Sequence, residues 1–395
     1  MIKKITIGSF KSLEDVELDL GRVNVFIGAN GSGKSNLLEA LGVLGAAASG
    51  RVDDESLLRR GVRPGVPALY KTSFRGGRLP KDIRFSASSE CATYSVGLFN
   101  PLERPKPAWS FNTELLKEGE KKVFGRSARS LERLNSISGY AALKVVDLPS
   151  DSPAVDLIES LREYAIFSPD TATLRGLDSD PQSREPVGLS GGRLAEAVNE
   201  MFGPGNPSER VSDDVYFSIL KLIGWARGLG ASPAGTVPIS KSVPQQALIL
   251  RFRDKYMAER RNYLSAYDAS EGALYVLFMA VLAHHRSAPN LLAVDNFDHA
   301  LNPRLARSLT RELVGWVKAD SARQILLTSH NPLVLDGLPI GDDEVRLFAV
   351  DRTRLGRTVV TRIELDGEMV ARAKKGVSLS QQWVMGALGG VPTGV

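Results

Sequence analysis

The sequence predicts an α/β fold whose core is assembled from two halves that a long insertion separates along the chain. Strands alternate with helices near both ends of the 395 residues, and the middle of the chain breaks the alternation. A glycine-rich turn joins a strand to a helix at 28–35, in the first half. An apolar strand that ends in an acid, "LLAVD" at 291–295, lies in the second half. Together these observations indicate one core that both halves complete.

The first half opens with a predicted hairpin and a buried strand at 2–27, because "KKITIGSF" and "DVELDL" alternate apolar and polar residues. Helical spacing predicts the first helix at 36–49, and a short strand is predicted at 68–74. From 82 to 150, predicted strands are mixed with a charged stretch, which indicates an exposed insertion such as an arm or a lid.

The second half returns to the core through helices and strands whose periodicity is clear. Strands are predicted at 165–169, 247–254, 291–295 and 323–330, helices at 191–203, 212–230, 270–285 and 303–318, and two strands with a short helix after 345. We predict four parts: 1–80 and 265–395 as the two ends of the core, 81–160 as an insertion forming a lid or arm, and 161–264 as a helical region that returns to the core.

Composition predicts a globular protein of the cytoplasm. Hydrophobic residues make up 43% and charged residues 24% of the chain. No apolar run approaches the ~18 residues needed to span a bilayer, so no membrane contact is expected. The single cysteine, Cys91, excludes an intramolecular disulfide and a Cys-rich zinc site. The net charge of +5 permits nucleic acid as a partner without requiring it.

The stretch "GANGSGKS" fits the pattern G-x-x-x-x-G-K-[ST] and has a strand before it and a helix after it. Glycines let backbone N–H groups wrap phosphates, and the helix start adds its dipole. Lys34 is expected to bind the β- and γ-phosphates of ATP, and Ser35 to bind Mg²⁺. The predicted nucleotide-binding residues here are Asn30, Gly31, Ser32, Gly33, Lys34, Ser35 and Asn36.

The acidic strand supplies the second half of this site. Asp295 ends an apolar strand, and in proteins with such a phosphate loop that carboxylate accepts from the Mg²⁺ shell. We therefore predict Ser35 and Asp295 as the metal-binding pair.

The motifs "GANGSGKSNLLEAL", "LLAVDNFDHALNP" and "ILLTSHNP", in that order, resemble the ABC-type ATPase heads of the RecF/SMC and OLD-like group. The resemblance is strongest to the compact AAA-family ATP-binding proteins found beside nucleases in bacterial anti-phage loci, and it covers roughly 1–75 and 160–395. It implies a P-loop NTPase fold of ABC-ATPase type with an antiparallel β subdomain and a helical/β insertion. It also implies that Lys11 and Ser12 approach the nucleotide.

The resemblance further implies head-to-tail homodimers in which a serine at a helix start in one subunit reaches the γ-phosphate held by the other. Two stretches compete for this signature, "GLSGGRLAEAV" at 188–198 and "YDASEGALYVLF" at 267–278. In such heads the signature helix leads almost directly into the acidic strand. That spacing favours Ser270, Glu271 and Gly272, while Ser190 stays the alternative and otherwise starts a helix.

His330, after "QILLTS", resembles the switch histidine that senses the γ-phosphate and orients the attacking water. The acidic motif differs from the family pattern D-E-P-E-x-x-L-H-P, because Asn296 follows Asp295 where the catalytic glutamate stands. An amide can orient water but cannot take its proton, and a positioned base is worth ~10²–10⁴-fold in rate. We expect weak hydrolysis, with Asp298 or His330 substituting in part, or an ATP-bound dimer that persists.

The sequence raises three candidate functions. The first is an ATP-dependent dimer that senses or scaffolds and controls a separately encoded effector, a nuclease or toxin, in anti-phage defence. The second is a RecF/SMC-like DNA-binding ATPase of repair or recombination. The candidate DNA contacts of this second function are Lys121, Lys122, Arg126, Arg129, Arg251, Arg253, Arg260 and Arg261. A DNA or phage component is a candidate partner. The third, a nuclease in its own right, is disfavoured because no carboxylate cluster with a lysine stands apart from the ATP site.

Overall fold

The computed structural model describes residues 1–127, 135–204, 211–241, 243–244 and 246–390. The strands in chain order are β1 (Lys4–Phe10), β2 (Leu13–Asp19), β3 (Val23–Ile27), β4 (Ile83–Ser88), β5 (Ala92–Phe99), β6 (Ser110–Glu118), β7 (Lys121–Arg126), β8 (Ala165–Phe167), β9 (Ala226–Pro233), β10 (Leu248–Asp254), β11 (Tyr263–Ser265), β12 (Leu291–Val294), β13 (Gln324–Ser329), β14 (Val345–Arg352) and β15 (Thr358–Ile363). The helices are α1 (Lys34–Ala48), α2 (Asp54–Leu58), α3 (Pro67–Tyr70), α4 (Ala141–Lys144), α5 (Pro153–Glu163), α6 (Thr171–Leu174), α7 (Leu194–Phe202), α8 (Asp213–Ile223), α9 (Glu271–His284), α10 (Pro303–Ala319), α11 (Gly367–Lys374) and α12 (Leu379–Val384).

A central six-stranded sheet in the order β15-β14-β3-β13-β12-β8 draws strands from both halves of the chain. Its neighbouring strands are parallel, except that β15 runs antiparallel to β14. The carboxyl ends of the parallel strands meet at one edge, where ligands bind in open α/β sheets. That edge holds the phosphate loop after β3, Asp295 after β12 and His330 after β13.

Helices and a second sheet cover the two faces of the central sheet. Alternate residues of β3 belong to different apolar cores, with Val25 in one and Phe26 in the other. The first core includes α9 and α10, and the second includes α1, α5 and the N-terminal sheet. Because both faces are covered, all residues of β3, β12 and β13 are buried, which explains why these strands are almost continuously apolar.

The sequence predicts that the segment 81–160 forms an exposed lid or arm. Its strands do not form a separate lid or arm. They continue the N-terminal hairpin into one antiparallel sheet in the order β2-β1-β4-β5-β6-β7. The join is the pairing of β4 with β1, from Lys4 opposite Ser88 to Gly8 opposite Arg84. Phe85 of β4 and Leu98 of β5 are buried, so folding removes the apolar surface of these strand residues from water.

Two local predictions were wrong for identifiable reasons. The strand predicted at 68–74 is instead the short helix α3, which Pro67 starts. Lys71, just after this helix, makes an isolated bridge to Phe10. The helix predicted over 212–230 ends at Ile223, because Gly224 adopts φ 74° and α8 cannot continue. The chain then forms β9, which joins β10 and β11 in a separate three-stranded sheet.

The remaining helices lie as the periodicity indicated. Asn302 caps α10 by accepting from the Leu305 N–H, and Pro303 occupies the first turn. No helix within the described residues is long and apolar enough to cross a membrane.

Candidate nucleotide-binding site

The phosphate loop turns tightly between β3 and α1. Gly31 and Gly33 have φ values of 76° and 113°, in the left-handed region that favours glycine. A side chain at Gly33 is also excluded by contact, because a Cβ there would lie 2.2 Å from Thr358 Oγ1. Asn30 and Gly31 are exposed at the tip of the loop, and Ser32 is buried beneath it. The exposed tip gives a phosphate chain access to the backbone N–H groups.

Lys34 is the first residue of α1, and its ammonium lies under the loop. It donates to the carbonyl oxygens of Gly28 (2.8 Å) and Ala29 (3.0 Å). Burial lowers the pKa of Lys34 to about 8, and the negative charges of Asp295 and Asp298 oppose that shift. The lysine is therefore held at the loop with two carboxylates in electrostatic range.

Ser35 and Asp295 come together as the sequence predicted they should. The Ser35 hydroxyl donates to Asp295 Oδ2 at 2.8 Å, and the Thr328 hydroxyl donates to Asp295 Oδ1. The Asp295 N–H also donates to the carbonyl of Phe167 in β8 at 2.9 Å. The first helix and β13 thus fix this carboxylate, and β8 fixes the backbone that carries it.

The residues after Asp295 form a tight turn. Asn296 has φ 52°, and its N–H donates to Thr328 Oγ1 at 2.8 Å. Asp298 Oδ1 is buried without a hydrogen-bond partner among the described residues. An unpartnered buried carboxylate oxygen is costly, so this atom is a candidate contact for a cation or for the attacking water.

His330 lies at the end of β13 and faces the loop. Its Nδ1 is 3.5 Å from the ammonium of Lys34. Burial and the charge of Lys34 lower the pKa of His330. The ring is therefore neutral near pH 7 and can accept a proton or orient a water molecule.

The structure brings Ser12 but not the Lys11 ammonium directly to the loop. Ser12 Oγ accepts from Asn36 Nδ2 at 2.8 Å and from Thr358 Oγ1 at 2.7 Å. Lys11 forms an ion pair with Glu39, which is 3% exposed. A role for Lys11 in nucleotide binding stays a prediction.

The predicted signature residues lie apart from the phosphate loop. Ser270 is the N-cap residue of α9, and it lines an open cleft of about 770 Å³ together with Glu271, Gly272 and the start of α10. The Ser270 hydroxyl accepts from Trp225 Nε1 at 3.2 Å. Because the Ser270 oxygen is the acceptor in this bond, the hydroxyl hydrogen can still be donated to another group.

The alternative signature at Ser190 is already occupied by a carboxylate of the same chain. Asp180 Oδ2 accepts from the N–H groups of Ser190 (2.9 Å) and Gly192 (3.0 Å). A phosphate would have to displace this internal anion. The geometry therefore favours Ser270 over Ser190.

The donor set fits ATP and Mg²⁺. A serine hydroxyl and a carboxylate oxygen, Ser35 Oγ and Asp295 Oδ2, lie in contact at the end of the loop. Oxygen ligands of this kind suit Mg²⁺, which also takes oxygens from nucleotide phosphates. The loop glycines and Lys34 suit the phosphates themselves.

Sequence reasoning missed two threonines that organise the site. Thr328 bridges Asp295 and the Asn296 backbone, and Thr358 Oγ1 of β15 lies 2.7 Å from both the Ser32 carbonyl oxygen and Ser12 Oγ. Thr328 precedes "SHNP" within the quoted motif and could have been noticed. Thr358 lies on a strand with no local motif, so only the fold reveals it.

Comparison with known proteins gives a family and several relatives. A family model described as "AAA domain, putative AbiEii toxin, Type IV TA system" matches residues 23–336. The DNA replication and repair protein RecF of Clavibacter michiganensis subsp. michiganensis is 34% identical over 110 residues, 27% of each chain. RecF of Renibacterium salmoninarum is 43% identical over 91 residues, 22% of each chain. The matched segment thus spans about a quarter of the length of these relatives.

The solved structures that this chain is similar to include SMC heads. An Smc head bound to the C-winged helix domain of ScpA has a TM-score of 0.54 at 13% identity, over 93% of this chain and 99% of that one. The SMC head domain from Thermotoga maritima has a TM-score of 0.47 at 14% identity, over 92% and 99%. The first of these confirms the predicted fold class, a P-loop core with an antiparallel β subdomain.

Proposed function

We propose that this chain, which belongs to the AAA domain family described as "AAA domain, putative AbiEii toxin, Type IV TA system", binds Mg-ATP and pairs head to tail with a second copy. It is an ABC-type ATPase of the RecF/SMC-like kind. We further propose that hydrolysis is slow, so that the ATP-bound pair acts as a sensor or scaffold. Its effector is a separately encoded nuclease or toxin of anti-phage defence.

One observation carries the proposal. Lys34, Ser35, Asp295 and His330 converge on the phosphate loop, whereas Ser270 lines a separate cleft of the same chain. A helix start with a free serine hydroxyl suits an anion. A second copy turned head to tail would bring that serine to the nucleotide.

The chemistry follows from the residues at the loop. Phosphoryl transfer depends mainly on positioning and electrostatic stabilisation. Lys34 and the loop N–H groups bind the phosphates, and bound Mg²⁺ supplies further positive charge. Asn296 can orient the attacking water, while Asp298 and His330 are the groups near it that can accept its proton. The proposal of slow turnover rests on the absence of a glutamate at 296.

Light scattering after size exclusion, with and without Mg-ATP, tests the pairing, and a phosphate-release assay tests the turnover. Removing the hydroxyl in Ser270→Ala should lower the rate on the order of 10-fold or more, because hydrogen bonds to charged groups contribute about 1.5–3 kcal/mol. Ser190→Ala is the matched control and should leave the rate unchanged. Equal losses in both variants, or no association with ATP in the wild type, would contradict the paired-head model.

A second candidate function is DNA binding in repair or recombination, and the partial similarity to RecF favours it. The basic residues predicted to contact DNA differ in their burial and in their ion pairs. Arg126 is buried and pairs with Glu114, and Arg253 lies near Glu259 and Tyr263. Arg129 lies outside the described residues. Lys121, Lys122, Arg260 and Arg261 are exposed.

A further inference from the structure

An open cleft of about 820 Å³ lies beyond the C-terminal end of α1 and is lined by arginines from four separate segments of the chain. The arginines of this arginine cleft are Arg51, Arg59, Arg60, Arg162 and Arg184. Ser49, which ends α1, also lines the cleft, whereas Lys34 begins the same helix at the phosphate loop. Because a 15-residue helix is about 22 Å long, the arginine cleft is a site separate from the phosphate loop.

Positive charge is in excess in the arginine cleft. The two carboxylates of its lining, Asp53 and Glu55, are each paired with an arginine of the same lining. The three other arginines of the lining form no ion pair with a described residue. An entering anion therefore meets three guanidinium groups that no ion pair occupies.

Backbone carbonyls hold two of these three arginines in place. Arg60 donates to the carbonyl oxygens of Ser56 and Arg162, both at 2.9 Å. Arg184 donates to the carbonyl oxygen of Tyr164 at 3.4 Å. These carbonyls belong to α2 and to the C-terminal end of α5, and a helix end carries only about half a negative charge. The guanidinium groups are therefore fixed in direction without being neutralised.

The arginines also repel one another. Arg60 is 6% exposed, and burial, followed by the positive charges of three neighbouring arginines, lowers its pKa to about 10. Burial also lowers the pKa of Arg184, and the negative charge of Glu163 opposes that shift without cancelling it. Like charges gathered at a partly buried site destabilise one another, and an anion between them relieves the repulsion. The fold thus holds in place a set of cations that an anion would stabilise.

The rest of the lining indicates what kind of anion fits. Ser49, Ser56, Gln182 and Ser183 offer hydroxyl and amide groups, and no described residue of the lining is aromatic or aliphatic. A nucleobase would find no ring to stack on, and an apolar tail would find no apolar surface. The volume lies in the range of about 300–1,000 Å³ that is typical of small-molecule sites. The ligand that fits is therefore small, wholly polar and anionic.

We propose that the arginine cleft binds a small molecule that carries two or more phosphate groups on a wholly polar skeleton, either an inorganic polyphosphate or a phosphorylated sugar. Guanidinium groups match phosphate oxygens in a bidentate geometry. Arg60 is buried and Arg184 half-buried at the base of the cleft, whereas Arg59 and Arg162 are exposed at its rim. A ligand with more than one phosphate can contact both the base and the rim. The site depends neither on ATP nor on pairing of the heads, so it goes beyond the proposed function.

Isothermal titration calorimetry with inorganic tripolyphosphate and with glucose 1,6-bisphosphate tests the proposal in a Lys34→Ala background. This background disables the phosphate loop, so the binding that persists arises elsewhere. Adding Arg59→Gln/Arg162→Gln removes two exposed guanidinium groups and leaves the base in place. Because hydrogen bonds between charged groups are strong, the affinity should fall at least about 10-fold. Arg75→Gln/Arg78→Gln, which removes two exposed arginines from another loop, should leave the affinity unchanged.

Removing a carboxylate from the cleft should have the opposite effect. Glu55 pairs with Arg59 one turn along α2, and Glu368 pairs with Arg372 in the same i, i+4 arrangement in α11, which does not line the cleft. Glu55→Gln should bind tripolyphosphate several-fold more tightly, because it removes a negative charge and releases Arg59. Glu368→Gln is the matched control and should bind like its parent. Misfolding cannot produce such a gain in affinity.

Failure of both probes to bind in the Lys34→Ala background would overturn the proposal, and so would equal losses in the rim variant and its control. Equal affinity for citrate, a polyanion without phosphate, would also overturn it. Tighter binding of tripolyphosphate would identify the ligand as an inorganic polyphosphate, and tighter binding of glucose 1,6-bisphosphate would identify it as a phosphorylated sugar. Thermal unfolding checks that each variant is folded.

Discussion

Asn296 has a conformational role as well as a chemical one. Its backbone is left-handed, with φ 52°, and Asn and Asp adopt that conformation at less cost than other non-glycine residues. The Thr328 hydroxyl that accepts from its N–H also donates to Asp295, so the turn and the acid are held together. A glutamate here would meet a backbone cost of roughly 1 kcal/mol. The residue that departs from the family pattern therefore fits the local geometry well.

Asn296→Asp should raise the rate of phosphate release above that of the wild type, by about 10-fold or more, because it places a carboxylate beside the water in an unchanged backbone. Asn296→Glu should do so too, with a lower melting temperature from the strained turn. Asn290→Asp, an exposed change at the other end of the same strand, controls for added negative charge. Unchanged turnover in both site variants would show that Asp298 or His330 already does this work, or that the geometry is incompetent.

At the scale of elements, the sequence predicts those helices and strands that a local apolar periodicity determines. The strand, loop and helix at 23–48 and the strands before Asp295 and His330 form as expected, since burial on both faces leaves a continuous apolar signal. Pairing of β4 with β1 joins residues far apart in sequence, and no local pattern reports it. The same holds for Thr358, whose side chain meets Ser12 only after folding.

Two histidines, His284 and His285, stand at the end of α9, the proposed signature helix. A cation at the end of a helix suits the helix dipole. His284 instead packs edge-on against Trp316 at 5.2 Å, and its Nε2 is buried without a partner among the described residues. Burial, followed by the charge of Arg323, lowers the pKa of His284 to about 4. His285 lies within 2.9 Å of Glu200.

His284 should therefore make the fold sensitive to acid. The unfolded chain binds this proton near pH 6.5 and the folded chain only near pH 4, so stability is lost as the pH falls through that window. At pH 5 the loss amounts to about 2 kcal/mol. Unfolding of His284→Phe at pH 7 and pH 5 should show a smaller acid effect than the wild type. His299→Phe, at an exposed histidine, should not; if it reduces the acid effect equally, the assignment to His284 is wrong.

At the scale of the whole molecule, the phosphate loop and Ser270, the two proposed half-sites, line different clefts of one chain. The phosphate loop follows β3 at one edge of the central sheet, and Ser270 starts a helix that leads back into that sheet through β12. The elements between them fix the spacing, so neither half-site can complete the other by a side-chain movement. Pairing of two copies is the arrangement that would give each loop a signature serine.

Mixing two inactive variants tests this arrangement directly. Lys34→Ala lacks a working phosphate loop and Ser270→Arg lacks a working signature, so each alone should release little phosphate. In a mixed head-to-tail dimer, the loop of the Ser270→Arg chain meets the signature of the Lys34→Ala chain, and one of the two sites is intact. Random assortment in a symmetric dimer makes about half of the dimers mixed, so an equal mixture should recover about a quarter of the wild-type rate. A mixture as inactive as its components, at a concentration where light scattering detects dimers, would mean that Ser270 acts within its own chain or not at all.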